Sequence, residues 1–308
     1  MQKTKRKISV PFVYIVLIVM FIINIFLNPN ILNPRGFNSL MIQLMPTIFV
    51  AMAQMSVMAA GEINLAMDGI INITVVIIAL TMKSLGAFSI ILAMAAAVGI
   101  GMIMSLVITR FKISSFIITL AFGMIFNGFA LLLMPRPGGN ISKILAVVIK
   151  GNPILVPNSL LILIGTLLLW KLFKKSRYGL HMYAVGGNEY SAFASGINVH
   201  RSKMTAYVCS SVFIAAAAIV LCGKSLLGDP TIGDGFPLTS VSGAVLGGAL
   251  FSGGVGTMKG AIAGGALMAI LLNILFFLNV DSAYQYIAQG AILFASIAFT
   301  MMKTDKKQ

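Results

Sequence analysis

Apolar runs of about twenty residues recur from one end of the chain to the other, separated by short polar stretches. A helix needs roughly 20 mostly apolar residues to cross about 30 Å of hydrocarbon, so this spacing sets the fold class before any single residue is considered. The runs lie at about 8–27, 39–60, 64–82, 87–109, 114–134, 158–174, 204–226, 237–253, 259–278 and 284–302. They lack the alternation expected of membrane β-strands. The expectation is an all-α polytopic bundle of about ten transmembrane helices, with residues 1–308 forming one membrane domain. Charged residues make up only 9% of the 308, against about 25% in soluble domains, so the chain cannot cover a water-facing surface.

The net charge of +15 raises the question of nucleic acid. The basic residues gather at the ends of the apolar runs, not on a stripe interleaved with aromatics, and lipid headgroups account for them. A cytoplasmic N-terminus places sixteen Lys and Arg on inner segments and six on outer ones. That is the asymmetry of a protein with both termini in the cytoplasm. Lys3, Lys5, Arg6 and Lys7 precede a first run longer than a signal-peptide core, with no small-residue cleavage site after it, so a retained helix is expected. Five crossings per half would invert the second half relative to the first, giving a possible five-plus-five inverted repeat. Cys209 and Cys222 are thirteen residues apart in one run, about 20 Å along a helix and too far for a disulfide; both read as packed thiols.

Two loops are long: an outer one at about Pro135 to Asn158 and an inner one at 175–203. In the inner loop Gly186 and Gly187 are expected to turn, with Asn188 as an N-cap. Glu189 to Ser195 then forms a short helix that Gly196 can end. Such a helix, presenting Tyr190, Phe193 and Ala194, suits docking into a partner's groove. A helix resting on the bilayer interface fits the same residues equally well.

Tyr183-Ala-Val-Gly-Gly-Asn-Glu189, followed by Ala194-Ser-Gly-Ile-Asn-Val199, resembles the cytoplasmic loop of the ribose-type permease family of ABC importers, its sugar and autoinducer branch. The likeness continues through Gly243-Ala-Val-Leu-Gly-Gly248 and Ser252-Gly-Gly-Val-Gly-Thr257, and more weakly at Gly61-Glu-Ile-Asn-Leu65. The resemblance implies a coupling segment carried by Gly186, Gly187, Asn188, Glu189, Tyr190, Ala192, Ser195, Gly196, Ile197 and Asn198. It also implies ABC ATPase subunits that hold ATP and Mg, so that this chain binds no cofactor. Further implied partners are an extracytoplasmic solute-binding protein and a second permease, the same or homologous. The implied setting is the bacterial inner membrane, and the implied solute a monosaccharide or related molecule. Two departures stand out: Asn64 and Ala66 replace an acid and a hydroxyl, and Lys259 replaces an aromatic or apolar residue. They leave pairing with a different permease open.

Glu62 and Asp68 are the acids nearest a membrane-embedded region, where ionisable groups are expensive and often functional. Six residues apart, they would leave one helix from different faces. A broken segment around Gly61 and Gly69 would let both line a polar cavity together with Asn64 and Asn127. Alternatively they cap helix ends at the cytoplasmic interface. Gln54, Asn72 and Asn273 are further polar residues within the runs. Gly243-x-x-x-Gly247 and Gly260-x-x-x-Gly264 point to close helix packing. Asp229, Asp234 and Asp281 fall in outer loops, which with 135–158 would receive the binding protein.

Cys222-Gly-Lys-Ser225 resembles the end of a phosphate loop, but Ala218 occupies the first glycine position. His181 and His200 lack partners at metal spacing, and no nucleophile, base and orienting acid form a set. A pore subunit is expected, not an enzyme. The competing reading is an ion-gradient transporter using Glu62 or Asp68 beside discontinuous helices; such a protein has no need of the 186–198 loop.

Overall fold

The computed structural model describes residues 10–151, 158–281, 283–292 and 294, and among these the chain is helical. Helix α1 (Val10–Leu27) leads through a 3-10 turn at Pro29–Leu32 into α2 (Pro34–Met58), which opens on a proline in its first turn. Next come α3 (Met67–Leu85), α4 (Phe88–Phe111) and α5 (Ser115–Leu133). The second half holds α6 (Lys143–Lys150), α7 (Asn158–Lys175), α8 (Arg177–Gly187), α9 (Glu189–Ala194), α10 (Val199–Ser225), α11 (Phe236–Leu246) and α12 (Met258–Phe277). A last helix, α13, covers 283–292; the remainder of the expected run at 284–302 lies largely outside the described residues. Helices α2, α3, α4, α5, α10 and α12 are long and apolar enough to cross a membrane. The protein is a polytopic helical bundle.

Three expectations are corrected. The run at 237–253 is not one helix. It is helical only to Leu246, and 11 residues rise about 16 Å, half a bilayer. The chain beyond is a loop to Thr257, with positive φ at Gly248, Gly253, Gly254 and Gly256, conformations open to glycine alone at little cost. Apolar content cannot reveal this, because glycine continues an apolar run while breaking the helix. Gly186 and Gly187 do not turn; they are the last residues of α8, and the bend falls on Asn188. The outer loop also contains α6, whose Leu145, Ala146 and Ile149 are buried.

Helices α2 and α10 pack together at the centre and are the most buried, whereas α5 is mostly exposed. The other pairings come in sets that exchanging the two halves interconverts. Thus α2 meets α12 as α10 meets α4, α2 meets α11 as α10 meets α3, and α3 meets α4 as α11 meets α12. Likewise α3 meets α5, while Thr239 of α11 donates to Gln289 of α13 at 2.9 Å. These pairings fit a five-plus-five repeat. Helix α1 breaks the pattern by packing on α12, while α7 lies on α2 and α8.

In lipid, apolar surface gives helices little reason to associate, so close packing of small residues must do so. Ala51, Ala53, Ala215, Ala217 and Ala218 are buried in the central pair. Where α11 crosses α12, Gly247 abuts the Gly260 carbonyl and Gly264 abuts that of Gly243. Asn273 bridges α12 to Asn24 of α1 at 2.8 Å and to Gln43 of α2 at 2.9 Å, so it joins helices. Gly264→Leu is expected to force α11 and α12 apart at a cost of about 1–3 kcal/mol or more. Detergent-solubilised variant should then melt earlier than wild type by fluorescence-detected size exclusion.

Candidate functional site

Two segments of broken helix organise the interior. Between α2 and α3, residues 59–66 are not helical, and bare backbone at membrane depth needs polar partners. Helix α5 supplies some of them: Ile63 N–H donates to Ser115 Oγ at 3.3 Å and Leu65 N–H to Thr119 Oγ1 at 3.0 Å. Helix α10 supplies others. Tyr207 hydroxyl donates to the Ile63 carbonyl at 3.1 Å, and Asn64 Nδ2 donates to Ser210 Oγ at 3.2 Å. Asn64 Oδ1 also accepts from Ala66 N–H at 3.0 Å. The segment thereby climbs α5 from Ser115 to Gly123, whose Cα hydrogens face Leu65, Ala66 and Asp68. Eight helical residues rise about 12 Å, so α3 begins well inside the bundle.

Its counterpart is the stretch from Leu226, which turns back with φ +58, to Gly235. Gly228 pairs with Gly138 beside Ala79, and Gly233 lies against Asp68 and Asn72. The stretch therefore descends α3 from Ala79 to Asp68, and α11 starts at that level. At this meeting point Asp68 Oδ2 accepts from Asn127 Nδ2 at 2.8 Å, and Asn127 Oδ1 accepts from Asn72 Nδ2 at 2.8 Å. Asn72 Oδ1 in turn accepts from Gly233 N–H at 2.7 Å. Asp68 and Asn127 thus share one polar relay spanning α3, α5 and the chain before α11.

Glu62 is elsewhere, so the two acids do not line a common cavity. Its carboxylate lies 2.7 Å from Lys203 Nζ near the first turn of α10, and the same ammonium lies 2.9 Å from Glu189 of α9. Both acids are therefore accounted for separately: Glu62 at the α8–α9 face, Asp68 in the interior.

Helix α9 is short and well defined. Asn188 Oδ1 accepts from Ser191 N–H at 2.8 Å, and Gly196 leaves the helix with φ +81. Ala192 is buried, while Tyr190 and Phe193 are 81% and 69% exposed. Ser195 Oγ donates to the Ser191 carbonyl at 2.8 Å, Ile197 N–H bonds back to Ala192, and Asn198 caps α10 through Arg201 N–H at 3.0 Å. Tyr190 and Phe193 thus form an exposed aromatic pair on a capped helix.

Three backbones converge behind it. Gly254 N–H donates to the Ala59 carbonyl at 3.2 Å. A Cβ on Gly253 would fall 2.5 Å from the Gly186 oxygen and 2.6 Å from Gly61 Cα, and one on Gly254 2.5 Å from Gly187 Cα. Tyr183 of α8 donates to the Gly256 carbonyl at 3.4 Å, with Lys174 4.6 Å above its ring. Burial pushes this hydroxyl up to about 12, so it stays a donor. The end of α8, the start of the 59–66 break and the glycine loop therefore touch without intervening side chains.

Sequence reasoning missed Lys203, Tyr207 and Ser210 of α10 and Ser115 and Thr119 of α5. The signal was present as polar residues spaced four, three and four apart on otherwise apolar helices. Gln54 is fully buried in α2, with neither amide atom hydrogen-bonded among the described residues. Among them, too, no three His, Cys, Asp or Glu side chains gather as a metal site.

Residues 36–297 match the model of a family described as the permease component of the branched-chain amino acid transport system. Among curated proteins, the chain is 28% identical to the L-arabinose ABC transporter permease AraH of Azospirillum brasilense, over 91% of this chain and 84% of that one. It is 29% identical to the ribose import permease RbsC of Bacillus subtilis, over 94% and 91%. To the galactose/methyl galactoside import permease MglC of Haemophilus influenzae it is 26% identical, over 96% and 95%. No solved structure matches. With the match spanning nearly the whole bundle, from the start of α2 to beyond α13, the chain belongs to the family of binding-protein-dependent transport permeases described as the branched-chain amino acid transport system permease component.

Proposed function

We propose that this chain is the permease subunit of an ATP-binding-cassette importer for a monosaccharide or a similar small hydroxylated solute. The observation that carries this reading is α9, a capped helix with exposed Tyr190 and Phe193 that follows directly on Gly186 and Gly187, whose backbone touches the 59–66 break and the glycine loop. A push on that helix reaches the interior through backbone contacts alone. The α8–α9 face is assigned to the cytoplasm by the sixteen-to-six division of basic residues. There it meets ATPase subunits that hold ATP and Mg; the permease itself does no chemistry. The opposite face, with α6 and the outer loops, receives the binding protein, and a second permease completes the pathway.

The relatives named for L-arabinose, ribose and galactose support a sugar over an amino acid as solute. Asp68, Asn72 and Asn127 offer carboxylate and amide groups of the kind that bind hydroxyls, so we assign them to the pathway. The ion-gradient reading loses one of its two acids, because Lys203 already neutralises Glu62.

Purification of the tagged protein from native membranes in mild detergent tests the reading, with co-purifying chains identified by mass spectrometry. An ATPase and a binding protein are expected. Tyr190→Ala with Phe193→Ala should cut recovery of the ATPase at least about tenfold, since buried aromatic anchors carry much of an interface's energy. Wild-type protein recovered without any ATPase, in a detergent that keeps known importers whole, would overturn it.

A further inference from the structure

Lys203 occupies an unusual position. Its ammonium, on a side chain 14% exposed, stands between two carboxylates on two different mechanical parts. One is Glu62, 10% exposed, which lies in the non-helical run leading to Asp68. The other is Glu189, 58% exposed, the first residue of α9. The two arms are unequal. A buried ion pair is costly to break once one partner leaves, because the other charge is stranded. An exposed pair is screened and contributes little. Lys203 is also the lowest rung of a ladder on one face of α10, followed by Tyr207 on Ile63 and Ser210 on Asn64. Release of Glu62 would therefore begin to unzip the 62–64 stretch from α10.

We propose that Lys203 is a shared latch whose ammonium divides between Glu62 and Glu189, so that the position of α9 sets how firmly the broken segment is held to α10. When α9 is drawn away, Lys203 belongs to Glu62 alone and the segment is locked. When α9 is pressed inward, Glu189 competes for the ammonium and the lock loosens. Lys203 is a positioning residue: it touches no solute and acts through the segment that carries Asp68. The latch rests on the permease reading above.

The test uses the complete complex reconstituted with its ATPase and binding protein, in vesicles supplied with radiolabelled D-ribose, D-galactose, L-arabinose and D-xylose together. Both ATP hydrolysis and label taken up are measured. Lys203→Met is expected to lower uptake per ATP at least about tenfold while hydrolysis stays within about twofold, with Lys203→Arg restoring the ratio. The exchange of Lys203→Glu with Glu62→Lys should couple better than either single change. Should Lys203→Met fail to assemble, Glu189→Gln, on the exposed arm, is expected to lower the same ratio. A parallel fall of uptake and hydrolysis, with no rescue by exchange, would mean a purely structural role and overturn the latch. Unchanged coupling in Lys203→Met or Glu189→Gln would overturn it as well. Wild-type complex that hydrolyses ATP without importing any of the four sugars would instead sink the sugar assignment, and absence of any ATPase the permease reading itself.

Discussion

Gly186→Ala should abolish most transport. The added methyl would meet the Ala59 carbonyl oxygen, with Gly254 N 2.7 Å and the Ala59 carbonyl carbon 2.8 Å away. All three are backbone atoms and cannot rotate aside. Overpacking of this kind costs about 1–3 kcal/mol, and each 1.4 kcal/mol is about tenfold in a population. The close three-backbone contact would be displaced in nearly all molecules, and uptake is expected to fall roughly 10- to 100-fold. Gly165→Ala in α7, where a methyl has nothing within 4 Å, is the matched control and should transport normally. Uptake by Gly186→Ala at wild-type rate would show that motion does not pass through this contact.

The second large effect is expected at Asn72, buried in the middle of the interior relay. Asn72→Leu keeps the branching but strands the Gly233 N–H and the Asn127 amide oxygen. Each unsatisfied buried group costs about 1–3 kcal/mol, so the loss is about 2–6 kcal/mol, seen as an earlier melting transition in detergent together with lost uptake. Asp68→Asn separates packing from chemistry. It keeps an acceptor for Asn127 while removing the charge, so melting should stay near wild type and uptake should fall. Full uptake by Asp68→Asn would remove its carboxylate from the pathway.

The bundle and the short helix α9 were legible because their signals are local. Twenty-residue apolar runs require helices in lipid, and Asn188 with Gly196 brackets α9 through capping rules that act within four residues. The glycine loop at 247–257 was not legible, since glycine counts as apolar in a run yet adopts the positive φ that ends a helix. The halves of the site were misjoined for a different reason. Glu62 and Asp68 are six residues apart in sequence, but the extended chain between them climbs two turns of α5, about 12 Å, and delivers them to different neighbours. Their true partners, Lys203 and Asn127, are 141 and 59 residues away, and a spacing rule cannot reach that far.

The back-to-back start of α3 and α11 has an electrostatic consequence. Each helix begins with amide N–H groups that carry about half a positive charge. Two such ends approach Asp68 from opposite directions, one within its own first turn and one by way of Gly233. Both ends act on one level of the interior, where Asp234 joins Asp68 beside Asn72. Where the two helices start thus brings two positive helix ends to one level of the interior, whatever other side chains line it.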